Sequence, residues 1–159
     1  MNSFVIENRI FDPAAECMDR RERARMQLKR LREAVRRAGS IPFYRGKFAE
    51  RKITPESIGS LADLKNLPFT TKQDLRDHYP FGFFAVDRSQ LARLHASSGT
   101  TGKPTFVGYT ANDLKLWAEL CARFLVGGGL TADQIAQVSF GYGLFTGGFG
   151  LHYGIERVG

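Results

Sequence analysis

The first forty residues distribute apolar and charged side chains with the period of an α-helix. Asp12-Pro13 predicts the start of this helix, because an acidic N-cap is followed by proline at a position where the missing N–H costs nothing. The helix is predicted to run to about Ala38 and to stop at Gly39. Apolar residues at spacings of three and four mark its core-facing stripe: Leu28, Leu31, Val35 and Ala38. The stripe is too short for sustained heptads, which favours core packing over a coiled coil.

Short helices joined by turns are predicted over residues 40–80. Thr54-Pro55-Glu56 repeats the pattern of an N-cap followed by proline, and therefore predicts a second helix start. Thr70 or Thr71 is predicted to cap a third helix that ends near His78.

The pattern changes near residue 90, where strands and helices begin to alternate. Strands are predicted over residues 91–96, 105–109 and 135–140, and the last is nearly apolar throughout, as a covered strand should be. A helix is predicted from Thr110 to Gly127-Gly128-Gly129, with one face made of Leu114, Trp117, Cys121, Phe124 and Leu125. A further helix is predicted to close at Gly159. The order indicates an α/β fold: a mainly helical segment over 1–89, then the start of an α/β core over 90–159 with an incomplete sheet, in one truncated domain.

The net charge of +7 raises the question of a nucleic-acid partner. Residues 1–52 hold 14 Lys and Arg against 7 Asp and Glu, whereas residues 53–159 hold 9 of each. The whole excess therefore lies on the first third, mostly on one predicted helix, where a solvated face explains it. No zinc-finger, RRM or helix-turn-helix pattern accompanies the charge, so no nucleic-acid partner is expected.

The remaining composition is that of a cytoplasmic globular protein. No run of 18 apolar residues is present, so we expect no membrane span, and the start lacks the pattern of a secretory leader. Cys17 and Cys121 lie far apart, without His or Cys at ligand spacing, and are expected to be buried free thiols. No metal-ligating residues are predicted.

One loop carries candidate chemistry, between the predicted strands that end at Ala96 and begin at Thr105. Its glycines permit the positive φ values that point backbone N–H groups at one anion, its hydroxyls add donors, and its lysine adds a positive charge. The predicted phosphate-binding residues are Ser97, Ser98, Gly99, Thr100, Thr101, Gly102 and Lys103. Pro104 follows, and directs the chain into the next strand.

The loop is not a Walker A motif. That motif has four residues between its glycines, a Ser or Thr after the lysine, and a following helix. Here two residues separate Gly99 from Gly102, proline follows Lys103, and a strand follows the loop. On composition alone, a polar hairpin loop without a ligand explains the segment equally well.

The order of residues is more specific than their composition. Ser97 to Pro104 resembles the first signature of the adenylate-forming superfamily, which includes the acyl-CoA synthetases. Three flanking motifs narrow the resemblance to the phenylacetate–CoA ligase family: Leu67-Pro68-Phe69-Thr70-Thr71-Lys72, Tyr79-Pro80-Phe81-Gly82, and Gly141-Tyr142-Gly143-Leu144-Phe145-Thr146-Gly147-Gly148. Ile41-Pro42-Phe43-Tyr44 is similar to an early segment of that family.

The resemblance implies a two-step ligase that uses ATP, Mg²⁺ and coenzyme A. ATP and an aryl carboxylate give an acyl adenylate and pyrophosphate, and the CoA thiol then forms the thioester and releases AMP. The loop is expected to stabilise the departing pyrophosphate. The implied aryl-acid-binding residues are Phe140, Tyr142, Phe145 and Gly147. Phe140 stands where the family commonly has tyrosine, which favours an unhydroxylated ring, although core packing is an alternative role for Phe140 and Phe145.

The resemblance also implies what this chain lacks. Members of the family are much longer, and their adenine- and ribose-binding segments and C-terminal lid with its catalytic lysine have no counterpart here. We therefore predict no catalytic residue in this chain, and no ligase activity for it alone. Two alternatives stay open: a short binding or assembly module without catalysis, and a ligase for another aryl acid. Family members are often homodimers, which makes a homodimer an expected assembly.

Overall fold

The computed structural model describes residues 9–97, 104–144 and 146–159. Within them the helices are α1 (Pro13–Glu16), α2 (Arg20–Ala38), α3 (Pro42–Glu50), α4 (Lys72–Asp77), α5 (Ala111–Gly127) and α6 (Gly147–Val158). Short 3-10 turns span Leu61–Asn66 and Arg88–Gln90. The strands β1 (Leu91–Ala96) and β2 (Phe106–Thr110) form a two-stranded antiparallel sheet. The predicted α/β class, helical first and mixed afterwards, is confirmed.

The chain divides into two compact units. The helical unit, as we call it, comprises residues 18–89 together with 104–106. The mixed unit comprises residues 9–17, 90–97 and 107–159, and therefore holds most of the sheet and the helices α1, α5 and α6.

The first predicted helix is two helices. α1 ends at Glu16, and Asp19 caps a new helix by accepting hydrogen bonds from the backbone N–H groups of Arg21 and Glu22, at 2.8 and 3.2 Å. The prediction of one helix from residue 12 to 38 is therefore wrong at residues 17–19. The physical reason is that a short acidic side chain satisfies first-turn N–H groups better than it continues a helix.

The apolar stripe of α2 builds the core of the helical unit, as predicted. Val35 is buried with Phe48 of α3 and with Ile58. Partly buried residues complete this core: Leu28, Leu31, Ala38, Tyr44, Ile53 and Leu67. Arg32 also links α2 to the segment that holds Ile58, because its Nε donates a hydrogen bond to the carbonyl oxygen of Ile58 at 2.8 Å.

The two further helix starts predicted in the helical unit have different outcomes. Thr54 and Ser57 bond to each other, with each backbone N–H donating to the other's side-chain oxygen, at 3.0 and 3.2 Å. This closes a turn instead of starting a helix, so the second predicted start is wrong. The third is right: Thr71 caps α4, and Asp74 returns the bond in a capping box. These bonds hold the pKa of Asp74 below its ordinary value, the backbone N–H of Thr71 being the largest cause.

In the mixed unit, α6 packs closely on α5 because glycines face the contact. A Cβ added at Gly154 would lie 2.5 Å from Cys121 Cβ, and one at Gly150 would lie 2.8 Å from the Trp117 ring. Neither distance is tolerated by a real side chain, so these positions require glycine or a local shift. On α5, Phe124 is 72% exposed, although it was predicted for the packed face.

The predicted strand over residues 135–140 is absent from the described chain. The segment is irregular, Ile135 is fully exposed, and Phe140 is 58% exposed. A strand needs a neighbouring backbone to accept its hydrogen bonds, and the sheet of the described residues contains β1 and β2 only. Apolar composition alone therefore does not predict a strand at these residues.

The two cysteines are both free, as predicted, but only one is sheltered. Cys17 is exposed, because the helix break places it at the end of α1. Cys121 is partly buried on α5, and this burial raises the pKa of its thiol, partly offset by a contact with the Trp117 side chain.

Candidate functional site

Strand β1 leads directly into the predicted phosphate loop. Its side chains alternate, so that Ala92 and Leu94 are exposed while Arg93 and His95 point to the covered face. Ser97 follows the strand and is exposed. The other predicted phosphate-binding residues lie outside the described residues: Ser98, Gly99, Thr100, Thr101, Gly102 and Lys103. The strand–loop–strand context predicted for the loop is observed on both sides.

One hydrogen bond joins the two segments that the sequence singled out. The backbone N–H of Ala96, one residue before Ser97, donates to the carbonyl oxygen of Leu144 at 2.8 Å. Leu144 belongs to the predicted aryl-acid segment. The stem of the predicted phosphate loop and the predicted aryl-acid segment are therefore neighbours, although 46 residues lie between Ser97 and Leu144 in sequence.

The predicted aryl-acid residues cluster around the N-terminus of α6. The Phe140 ring lies beside Gly147, where an added Cβ would be 3.7 Å from ring atom Cδ1. An added Cβ at Gly148 would be 3.3 Å from the Gly141 carbonyl oxygen, so glycine lets the segment approach the helix closely. Phe145 lies outside the described residues. The structure thus brings Phe140, Tyr142 and Gly147 to one place.

Tyr142 is the most fully contacted of these residues. Its hydroxyl lies 3.0 Å from Nδ1 of His152, and its ring packs edge-on against Phe149 with centroids 5.2 Å apart. Sequence reasoning did not select His152 or Phe149, since no motif marks a pairing between an irregular segment and a helix. The order of residues in the motif identified Tyr142 as a candidate site residue, but it did not identify His152 and Phe149 as its partners.

Beneath the loop stem lies a second group that sequence reasoning missed. His95 is 1% exposed, and three aromatic rings meet its imidazole edge-on, those of Tyr109, Trp117 and Phe149, at centroid distances of 5.4, 5.3 and 6.0 Å. Neither ring nitrogen has a hydrogen-bond partner within the described structure. Burial of Tyr109 itself raises the pKa of its hydroxyl, with a smaller contribution from the charge of Asp113.

Arg93 lies two residues before His95 on the same face of β1. Its guanidinium is 4.7 Å from the centroids of both Phe149 and Tyr153, whose rings stack on successive turns of α6. These two cation–π contacts stabilise the packing of β1 against α6. Strand alternation from His95 is the pattern that identifies Arg93 as covered.

Other features of the described residues are few. They contain no group of three or more His, Cys, Asp or Glu side chains placed to hold a metal ion. Among their helices, none combines the length and apolar character that crossing a membrane requires. A cavity of about 390 Å³ lies beside α5, lined by Gly108, Tyr109, Asp113, Leu116, Trp117 and Leu120.

The chain is similar in sequence to phenylacetate–coenzyme A ligases. It is 53% identical over 135 residues to the ligase of Aromatoleum evansii, which is 84% of this chain and 31% of that protein. It is 50% identical over 157 residues to the ligase of Escherichia coli strain K12, which is 98% of this chain and 36% of that protein. The chain thus spans about a third of the length of these relatives. No protein-family model matches it.

The fold is similar to that of solved acyl-CoA ligases. A crystal structure of 2-hydroxyisobutyryl-CoA ligase, in complex with 2-HIB-AMP and CoA, superposes with a TM-score of 0.83 at 31% identity. The match covers 99% of this chain and 34% of that one. A second structure of the same ligase, in an open conformation, matches with a TM-score of 0.83 at 30% identity. The predicted resemblance, to the N-terminal part of an adenylate-forming ligase, is confirmed.

Proposed function

We propose that this chain is the front third of an ATP-dependent phenylacetate–CoA ligase, in which it supplies the phosphate loop and part of the aryl-acid pocket. The similarity to phenylacetate–CoA ligases over most of the chain supports this acid–thiol ligase chemistry. The cosubstrates in this proposal are ATP with Mg²⁺ and coenzyme A, and the setting is the cytoplasm, with a homodimer as the assembly.

The observation that carries the proposal is the hydrogen bond between Ala96 N–H and the Leu144 carbonyl oxygen. Adenylation requires the carboxylate of the acid to lie beside the α-phosphate of ATP, because the two react directly. This bond ties the stem of the phosphate loop to the aryl-acid segment. Residues Ser97 to Lys103 would stabilise the phosphate charge, while Phe140, Tyr142, Phe145 and Gly147 would receive the ring of the acid.

The side chain at position 140 supports phenylacetate over its ring-hydroxylated analogues. Phe140 is 58% exposed in this chain, beside Gly147, so it is not part of the core of the described residues. It offers no hydrogen-bonding group to a hydroxyl on the substrate, and a pocket without such a donor gives up selection for that hydroxyl. We expect Phe140→Tyr to retain activity on phenylacetate and to improve it on 4-hydroxyphenylacetate.

The direct test uses the full-length ligase from the parental reading frame, with pyrophosphate release from ATP as the readout. Release should depend on phenylacetate, whereas equal release with acetate or benzoate would reject this substrate assignment. Lys103→Ala should lower the adenylation rate about 10²- to 10³-fold without lowering Tm, because the lysine acts on transition-state charge rather than packing. Lys29→Ala, on the exposed face of α2, is the matched control and should leave the rate unchanged.

The alternative, a short module without catalysis, is separated by the same reading frame. A stop codon directly after Gly159 would overturn the ligase proposal. A frame that continues for about twice the present length would support it.

A further inference from the structure

Tyr142 is anchored to α6 by its hydroxyl as well as by its ring. Oη lies 3.0 Å from Nδ1 of His152, and the two rings meet at 88° with centroids 5.6 Å apart. Phe149, one turn earlier on α6, packs against another edge of the tyrosine. These contacts hold Tyr142 in one orientation although 52% of its surface is exposed.

Glu156 favours one tautomer of a neutral His152. Its Oε1 lies 3.3 Å from Nε2, one helical turn along α6. A carboxylate accepts hydrogen bonds only, so the neutral imidazole that satisfies both contacts carries its hydrogen on Nε2. Nδ1 is then free to accept from the Tyr142 hydroxyl. Glu156, His152 and Tyr142 therefore form a directed chain of hydrogen bonds that runs from α6 to the aryl-acid segment.

The anchor acts on a segment that is also held at a second point. Two residues after Tyr142, the Leu144 carbonyl oxygen accepts from the Ala96 N–H. Two residues before Tyr142, the Phe140 ring packs beside Gly147, and a phenyl ring has no group that could form a hydrogen bond there. Phe140 and Tyr142 thus contact α6 at neighbouring positions, whereas the link to the predicted phosphate loop is made by Leu144.

We propose that His152 is a positioning residue for the aryl acid: by accepting from Tyr142 it fixes residues 140–142, and so sets the affinity for the acid while leaving the affinity for ATP unchanged. This inference rests on the proposed function, and it deepens that function by assigning part of acid recognition to a residue on the surface of α6. The side chain of His152 is itself 41% exposed and is accessible to substitution without opening a core.

The test compares two substitutions in the full-length ligase. His152→Phe keeps an aromatic ring beside Tyr142 and removes the acceptor, so KM for phenylacetate should rise about five- to tenfold, the usual cost of one hydrogen bond. KM for ATP and Tm should not change. His152→Asn places an amide oxygen where Nδ1 stood, and should return KM for phenylacetate to within about twofold of wild type.

His78→Phe is the matched control, because it makes the same substitution in the helical unit, where His78 Nδ1 bonds to the Asp74 carbonyl oxygen. It should leave both KM values unchanged. An unchanged KM for phenylacetate in His152→Phe would overturn this inference alone. So would a rise in both KM values that His152→Asn fails to reverse, since that pattern reports a loss of scaffold. A wild-type enzyme that releases no pyrophosphate with phenylacetate would overturn the proposed function, and this inference with it.

Discussion

The helical unit and the mixed unit bury different kinds of residue. The buried side chains of the helical unit are branched or aromatic: Val35, Ile41, Phe48 and Ile58. Apart from His95 and Val126, those of the mixed unit are alanines and glycines: Ala96, Ala122, Gly148, Gly150 and Gly154. Both units leave large apolar side chains on their surfaces, such as Leu64 and Phe69 of the helical unit and Phe124 and Ile135 of the mixed unit.

The two kinds of buried residue have different effects, one on stability and one on how closely the backbone segments approach. Large buried side chains stabilise a unit through the apolar area that they remove from water. Buried glycines contribute little area, but they let helices and irregular segments approach closely, as α6 approaches α5. The unit that carries the predicted chemistry therefore has close backbone packing between α5 and α6. The other unit obtains its stability from its own core.

The largest effect should come from the core of the helical unit. Ile58 is 2% exposed, and Ile58→Ala should lower the free energy of unfolding by about 3 kcal/mol, because it removes buried methyl groups and leaves a cavity. Ile135→Ala, at a fully exposed position of the mixed unit, should change stability by less than about 0.5 kcal/mol. Urea denaturation followed by circular dichroism measures both. Equal losses for the two variants would break the comparison.

A smaller effect is expected where glycine mediates the packing. Gly154→Ala should destabilise the mixed unit by about 2 kcal/mol, because the new methyl group collides with Cys121 on α5. Gly46→Ala is the control, since nothing lies within 4 Å of an added Cβ at this position of α3. That change should stabilise by about 0.5 to 1 kcal/mol through helix propensity. If Gly154→Ala also stabilised the protein in urea denaturation, the close approach of α5 and α6 would be disproved.

The smallest expected effect is a difference in reactivity between the two thiols, which reports on how closely α6 covers Cys121 of α5. Burial raises the pKa of the Cys121 thiol, so less of the reactive thiolate forms near neutral pH, whereas Cys17 is exposed. Iodoacetamide at pH 7.5 should therefore modify Cys17 before Cys121, as mass spectrometry of a time course would reveal. Gly154→Ala, by forcing α6 away, should speed modification of Cys121 but not of Cys17.

Local patterns predicted much of the secondary structure. Capping boxes at Thr71 and Thr110 each place a hydroxyl and a carboxylate three residues apart, and both begin helices as expected. The stripe of α2 correctly identified the core of its unit. In these cases the atoms that decide the structure lie within one or two turns of each other.

The errors arose where one local pattern competed with another, or where distant residues decided the structure. Asp19 interrupts a good helical stripe because its side chain caps better than it propagates. Residues 135–140 have the composition of a strand, yet a strand also needs a neighbour that composition does not specify. The anchors of the candidate site were missed for the second reason: Leu144 bonds to Ala96 in a distant segment through backbone atoms alone, and His152 pairs with Tyr142 of the irregular segment ten residues before it.

The bond between Ala96 and Leu144 has an evolutionary consequence, because both of its atoms belong to the backbone. Mutation can replace the Leu144 side chain without removing either atom of this bond. In the proposed ligase, acid-binding side chains can therefore diverge between lineages while this link to the stem of the predicted loop persists. The 2-hydroxyisobutyryl-CoA ligase whose structure matches this chain at 31% identity is named for a different acid, and a link made of backbone atoms alone is compatible with such a change.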